Sequence, residues 1–322
     1  MSLRATLVLA SAVLALASSA VSAQAYPSRT VRLVIPFPAG GGTDGIGRIY
    51  AAKLAEALGQ QVVVDNKAGA SGIIGSESVA RAEPDGYTLL WAPSTHTTVP
   101  ATTAKLPYDP ITGFTAIAHV ANSPLAAVVP VTVPARTVQE LVALSKAKPR
   151  ALNFGSAGNG SINHLAGELF NARSGASLAH VPYKGLAPAT IDLIAGRVEA
   201  MFASIPSVQG HVKQEKLRAL ATSGARRAAA LPDVPTLIEA GFAGFETYVW
   251  WGVMGPARLP REIVARVNGD TRKVLGAADL KNRLALEGAE PVPGTPEQFA
   301  AFVLADLDVW KKLVADAGIR IE

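Results

Sequence analysis

The sequence predicts an α/β protein of two lobes joined by two crossing segments. Short β-rich runs alternate with helix-periodic stretches along the chain. Its 322 residues exceed what a single hydrophobic core usually holds. One design, a strand followed by a Gly-rich loop and a capped helix start, occurs twice, from Val31 and again from Leu152. Two such units in separate lobes would aim two helix N-termini at one cleft.

The first unit reads VRLVIPFPAGGGTDGIGRIYAAKLAEAL. Val31, Leu33 and Ile35 suit a buried strand. Ile46, Ile49, Tyr50, Leu54, Ala57 and Leu58 recur at three- and four-residue spacing and so share one helical face. Gly40, Gly41 and Gly42 let the backbone turn between them. Thr43 is the expected N-cap and Asp44 a favourable first-turn residue. Free N–H groups at such a helix start suit a carboxylate or phosphate. Gly40, Gly42 and Gly45 also satisfy G-x-G-x-x-G, with Asp65 about twenty residues on as a dinucleotide site requires. That reading is set aside: Pro36-Phe37-Pro38-Ala39 separates strand from first Gly, and Asp44 would bring negative charge to a pyrophosphate.

Residues 1–23 carry Arg4 as their only charge, an apolar run from Ala5 to Ala17, and a small-residue stretch ending at Ala23. This is a secretory signal pattern, with cleavage expected after Ala23 or Ala25. The run is too short for a comfortable membrane span. With no Cys in the chain, neither a lipid-anchored cysteine nor a disulfide can form. The expectation is an exported periplasmic protein. Losing Arg4 leaves 29 basic against 25 acidic residues, a net +4. That mild, scattered excess argues for no nucleic-acid partner.

Further along, QQVVVD is a strand, Ile73–Arg81 a helix and Tyr87–Ala92 a strand ending in the polar run Ser94-Thr95-His96-Thr97-Thr98. Ligands sit at such strand ends in α/β sheets. Phe114–Val129 reads as two β pieces broken at Asn122-Ser123-Pro124, a first crossing between lobes. Thr137 caps a helix to Lys146 with Glu140 completing a capping box. The second unit follows: LNFGSAGNGS, then a helix with Ile162, Leu165, Ala166, Leu169 and Phe170 on one face. Leu178–Tyr183 is a strand ending in Tyr183-Lys184-Gly185, Ala187–Ala195 a helix, and Val198–Ala203 and Leu217–Thr222 strands. Leu231–Thr236 turns into a helix start. Phe245–Val253 is the return crossing, with Trp250 and Trp251 on opposite faces, one for the cleft and one for the core. Arg261–Leu275, Ala278–Leu286 and Pro296–Ala315 are helices, separated by a Pro-rich turn at 290–296.

No catalytic constellation emerges. Ser156 lacks the G-x-S-x-G spacing. The five histidines (96, 119, 164, 180 and 211) form no H-E-x-x-H, so neither a metal site nor an enzyme is expected. His164, third after Ser161, suits either a ligand contact or a helix-start hydrogen bond. Two matched loops favour a carboxylate cradle of N–H groups and hydroxyls.

The ordered set IPFPAGGGTD, DNKAGASGIIG, EPDGYTLL, LPYDP, LNFGSAGNGSINHLAGELF, HVPYKG and LPDVPTLIEAG resembles the Bug (TctC-like) family over nearly the whole mature chain. These are periplasmic solute-binding proteins of tripartite tricarboxylate transporters. The resemblance implies a two-lobed, type II periplasmic-binding-protein-like fold: residues 26–122 plus 250–322 as lobe 1 and 123–249 as lobe 2. It also implies a monomer without cofactor that closes on a carboxylated acid. Its partner would be a membrane permease, or a sensor protein in the alternative reading. Carried over residue by residue, the ligand site is Phe37, Ala39, Gly41 and Asp44 with Ser156, Ala157, Gly158, Gly160, Ser161 and His164. Ser94, Thr95 and His96 would lie nearby, and Tyr183, Lys184 and Ser204 would line the second lobe's side. One departure is Glu199, where the family pattern GxVD carries Asp.

Overall fold

The computed structural model describes residues 26–319; the signal segment expected at 1–23 lies outside them. Two groups of parallel strands are joined through antiparallel crossings into one curled mixed sheet. Its strands are β1 (Val31–Ile35), β2 (Val62–Asn66), β3 (Thr88–Pro93), β4 (Phe114–Pro130), β5 (Asn153–Ser156), β6 (Ala179–Pro182), β7 (Ala200–Ser204), β8 (Leu217–Thr222), β9 (Tyr248–Pro256) and β10 (Glu290–Pro291). They run in the order β2-β1-β3-β9-β4-β7-β5-β6, with β8 and β10 also on β4. The helices are α1 (Gly42–Leu58), α2 (Ile73–Ala80), α3 (Thr95–Thr102), α4 (Val138–Ala147), α5 (Ile162–Ser174), α6 (Leu186–Ile194), α7 (Ile205–Lys213), α8 (Arg261–Gly276), α9 (Ala278–Leu286) and α10 (Pro296–Asp316).

β1 pairs in parallel with β2 and β3, and β5 with β6 and β7. The long strand β4 connects the two groups. Its residues up to Pro124 pair with β9; from Leu125 onward it pairs with β7 and β8. The break expected at 122–124 is therefore an exchange of partners within one continuous strand. Pro124 has no N–H to give a ladder, which makes it a tolerable place for the exchange. Alternate β4 residues serve different cores. Leu125, Ala127 and Val129 join the main core with Trp91, Phe154 and Trp251. Ala126 and Val128 join a second core with Met201 and Ile205. A third, around Val34, Leu90, Trp250 and Phe299, fills the other face of the β1–β3 group.

Six local expectations need correction. α1 is capped by Gly41, not Thr43; the Thr43 hydroxyl instead accepts from Trp251 Nε1 at 3.1 Å. The polar run after β3 is helical, as α3. A helix unforeseen in the sequence, α7, follows Ser204 with Pro206 in its first turn. Thr236 does begin a turn, exchanging hydrogen bonds with Glu239. That turn stops at Gly241, whose φ of +93° leaves the helical region, so no helix forms. Finally, the turn after α9 contains β10, antiparallel to Ala121 and Asn122. Trp250 and Trp251 do occupy opposite faces, but both are buried in cores, so neither faces the cleft.

Candidate functional site

Five helices begin around one small cavity. Gly42 and Thr43 open α1, Ser94 and Thr95 open α3, and Ile162 and Asn163 open α5; Leu186 and Ala187 open α6, and Ser204 precedes α7. All of these residues line the cavity, together with Phe37, Pro38, Gly41, Pro93, Ala157 and Val249. The enclosed space is about 30 Å³. No lining residue is charged, so the electrostatics are those of helix starts, whose first amides lack an intrahelical acceptor and carry partial positive charge. The Ser94 hydroxyl is buried on this wall and has no hydrogen-bond partner among the described residues. Across the cavity, the Gly42 N–H donates to Ser207 Oγ at 3.0 Å, and Ser207 Oγ lies 2.8 Å from Ser204 Oγ. A Cβ on Gly42 would approach those two hydroxyls to 2.6 and 2.8 Å, so this closeness requires glycine.

Of the residues carried over from the resemblance, Phe37, Gly41, Ser94, Thr95, Ala157 and Ser204 lie on the cavity wall. Others shape the loops behind it. Asp44 accepts from the Gly40 N–H at 3.0 Å, from Arg48 and from Asn66. Burial raises its pKa, but those hydrogen bonds outweigh burial and hold it below the usual carboxylate value. Ser161 caps α5 by accepting from the His164 N–H. His164 Nδ1 in turn accepts from the Gly160 N–H at 3.2 Å. Ser156 Oγ lies 2.6 Å from His180 Nε2, and the two imidazoles stack with centroids 3.6 Å apart. Burial pushes His164 down to about 4. Burial and the neighbouring His164 push His180 down to about 3. Gly158 and Gly160 hold positive φ, +126° and +72°, and a Cβ on Gly158 would meet Ser71 Oγ at 2.5 Å.

Four residues point elsewhere. His96 Nε2 lies 2.8 Å from the Pro110 carbonyl oxygen. Tyr183 donates to Asp192 at 2.9 Å, while Ala39 and Lys184 are exposed away from the wall. Glu199 accepts from the Asn153 N–H, tying β5 to the start of β7 rather than touching the cavity. Sequence reasoning passed over Asn163 and Ser207. Asn163 follows the capping Ser161 by two residues, and Ser207 follows the Pro-marked start of α7; both signals were readable. Among the described residues no group of His, Cys, Asp or Glu could hold a metal ion, and no helix is long and apolar enough to cross a membrane.

A family model described as "Tripartite tricarboxylate transporter family receptor" matches residues 46–319. The chain belongs to this TctC family. Among solved structures, the periplasmic binding protein BugD superposes with a TM-score of 0.88 at 33% identity, covering 92% of this chain and 100% of its own. Rpa4515 of R. palustris, solved with adipate, gives 0.89 at 36%, covering 92% and 99%. MatC from Rhodopseudomonas palustris, with bound malate, gives 0.84 at 32%, covering 90% and 100%. As a TctC-family member, the chain has the two-lobed binding-protein fold expected from its motifs, and the named neighbours are binding proteins rather than enzymes.

Proposed function

We propose that this TctC-family chain captures a small carboxylated organic acid between its lobes and delivers it to a tripartite tricarboxylate-type permease. The observation that carries this reading is the convergence of five helix starts and the unpartnered Ser94 hydroxyl on one cavity wall with no charged side chain. Such a wall offers neutral N–H and O–H donors, which suits an anion held without a cationic partner. The dicarboxylates named with Rpa4515 and MatC agree with that chemistry. The proposed lobes are residues 26–122 plus 250–322 and residues 123–249. The partner exchange within β4 and the start of β9 at Tyr248 support the two crossings between them. Ligand contacts from both sides favour the closed arrangement over an open one, a population shift. Residues 1–23 would direct export to the periplasm, with cleavage after Ala23 or Ala25, and the mature chain would act as a monomer.

Native mass spectrometry of the purified mature chain, followed by thermal-shift titration with adipate, malate and citrate, tests this. A stoichiometric unmodified acid, or a melting temperature that rises with acid concentration, is the expected result. An empty protein with no shift for any of the three overturns the carboxylate reading.

A further inference from the structure

Helix α3 carries Ser94 and Thr95 on the cavity wall yet cannot hold itself together. It reads THTTVPAT, has no side-chain cap and contains Pro100. Thr has weak helix propensity, an internal Pro removes a backbone donor, and eight residues are too few for a stable isolated helix. Even so, Thr95 through Val99 are all buried. What fixes them comes from more than 200 residues downstream. Thr97 Oγ1 donates to Asp306 Oδ2 on α10 at 2.6 Å. The same hydroxyl lies 2.8 Å from the Ser94 carbonyl oxygen, so its single proton is shared. Trp250 Nε1 donates to that same Asp306 oxygen at 2.9 Å, and the Trp250 carbonyl accepts the Ser94 N–H at 3.0 Å. The circuit Ser94, Thr97, Asp306, Trp250 closes on itself.

We propose that Asp306 is a positioning residue for the cleft. One carboxylate oxygen sets the first turn of α3 against the start of β9, and so fixes Ser94, Thr95 and Val249 on the cavity wall. The proposal rests on reading that cavity as the acid-binding cleft. Among the described residues, Asp306 faces the neutral donors Thr97, Trp250 and Trp310 and no cation. Burial raises its pKa, while the bonds from Thr97, Trp250 and Trp310 lower it without fully offsetting burial. A desolvated carboxylate without a counter-charge is costly, and its hydrogen bonds are correspondingly strong and directional. If Asp306 served only to attach α10, its loss would loosen α10 and its apolar contacts rather than the start of α3.

Hydrogen–deuterium exchange on the ligand-free chain tests this. Asp306→Ala is expected to speed exchange at Ser94–Val99 by about tenfold or more, with the starts of α5 and α6 unchanged. Thr97→Val, which cuts the same bond from the other side, should reproduce the effect and serves if Asp306→Ala does not fold. Asp306→Asn keeps an acceptor oxygen for Thr97 and Trp250 and should restore most of the protection. Unaltered protection at 94–99, an equal loss across α5 and α6, or no rescue by Asn overturns the proposal. Because the readout needs no ligand, failure of adipate, malate and citrate to bind would count against the functional reading alone.

Discussion

At Gly40–Asp44 the loop into α1 is held by charge: one carboxylate gathers a backbone amide, an arginine and an asparagine. At Ser156–His164 the loop into α5 is held by neutral groups: two hydroxyls and two stacked imidazoles. Both loops turn on glycines and both open a helix onto the cavity, but their helix starts are finished differently. α5 has a side-chain cap, so one of its first amides is satisfied internally. α1 has none, and its Gly42 amide reaches across the cleft to Ser207 instead. The first loop is therefore tied to α7, far along the chain, and the second is tied within itself. The same sequence design thus yields two differently anchored helix starts.

The largest effect is expected where the first loop meets Ser204 and Ser207 at the start of α7. Gly42→Val places a branched side chain against Ser204 and Ser207 without demanding a forbidden backbone angle. Closure should be obstructed while the fold survives. Isothermal titration with whichever of adipate, malate or citrate the wild type binds should show affinity reduced by about a hundredfold, near 2.7 kcal/mol. An unchanged affinity would mean that Gly42 and Ser207 do not meet in the bound form.

A smaller effect separates the two loops by pH. His164 and His180 have folded values of about 4 and about 3 against the usual 6.5. Between those values and 6.5 the unfolded chain binds more protons, so stability must fall as pH drops through that window. His96 and His119, both pushed down to about 4 by burial, act in the same direction. Asp44 has a lowered value; its contribution is present above the usual 3.8 and is lost only as pH falls below it. Urea midpoints should be level above about pH 6.5 and decline towards pH 4, with a shallower decline in His180→Phe. A flat wild-type curve would break the contrast between a neutral and a charged loop.

The smallest effect lies in the cap. Ser161→Ala should cost about 1 kcal/mol of unfolding free energy, whereas Thr43→Ala should leave the α1 cap untouched because Gly41 fills that position. Because Thr43→Ala also strands the Trp251 Nε1 donor, the caps are compared by hydrogen exchange in the first turn of each helix; equally faster exchange in α1 and α5 would erase the distinction.

Much of this was legible locally. Thr137 caps the helix it was expected to cap, the second unit has the capped helix start expected of it, with Ser161 as the cap, and α8, α9 and α10 follow their periodic apolar residues. The failures share a cause. α3 is a poor helix by composition, and Thr97, Asp306 and Trp250 hold it through distant contacts. Thr43 looked like a cap, but a tryptophan from β9 claimed its hydroxyl. In each case a partner remote in sequence decided what a local pattern left open.

The amino-acid sequence by itself determined the order of most strands and helices, α3, α7 and β10 excepted, together with the two glycine turns and the family to which the motifs belong. Those features are written within spans of a few residues, through periodicity, capping and backbone freedom. Only the tertiary structure decided that five helix starts share one cavity, that the Ser94 hydroxyl is buried on its wall, and that β4 changes neighbours at Pro124. These depend on strand pairings between residues far apart in the chain. Such pairings are selected by the burial of whole sheet faces, which no short window of sequence contains.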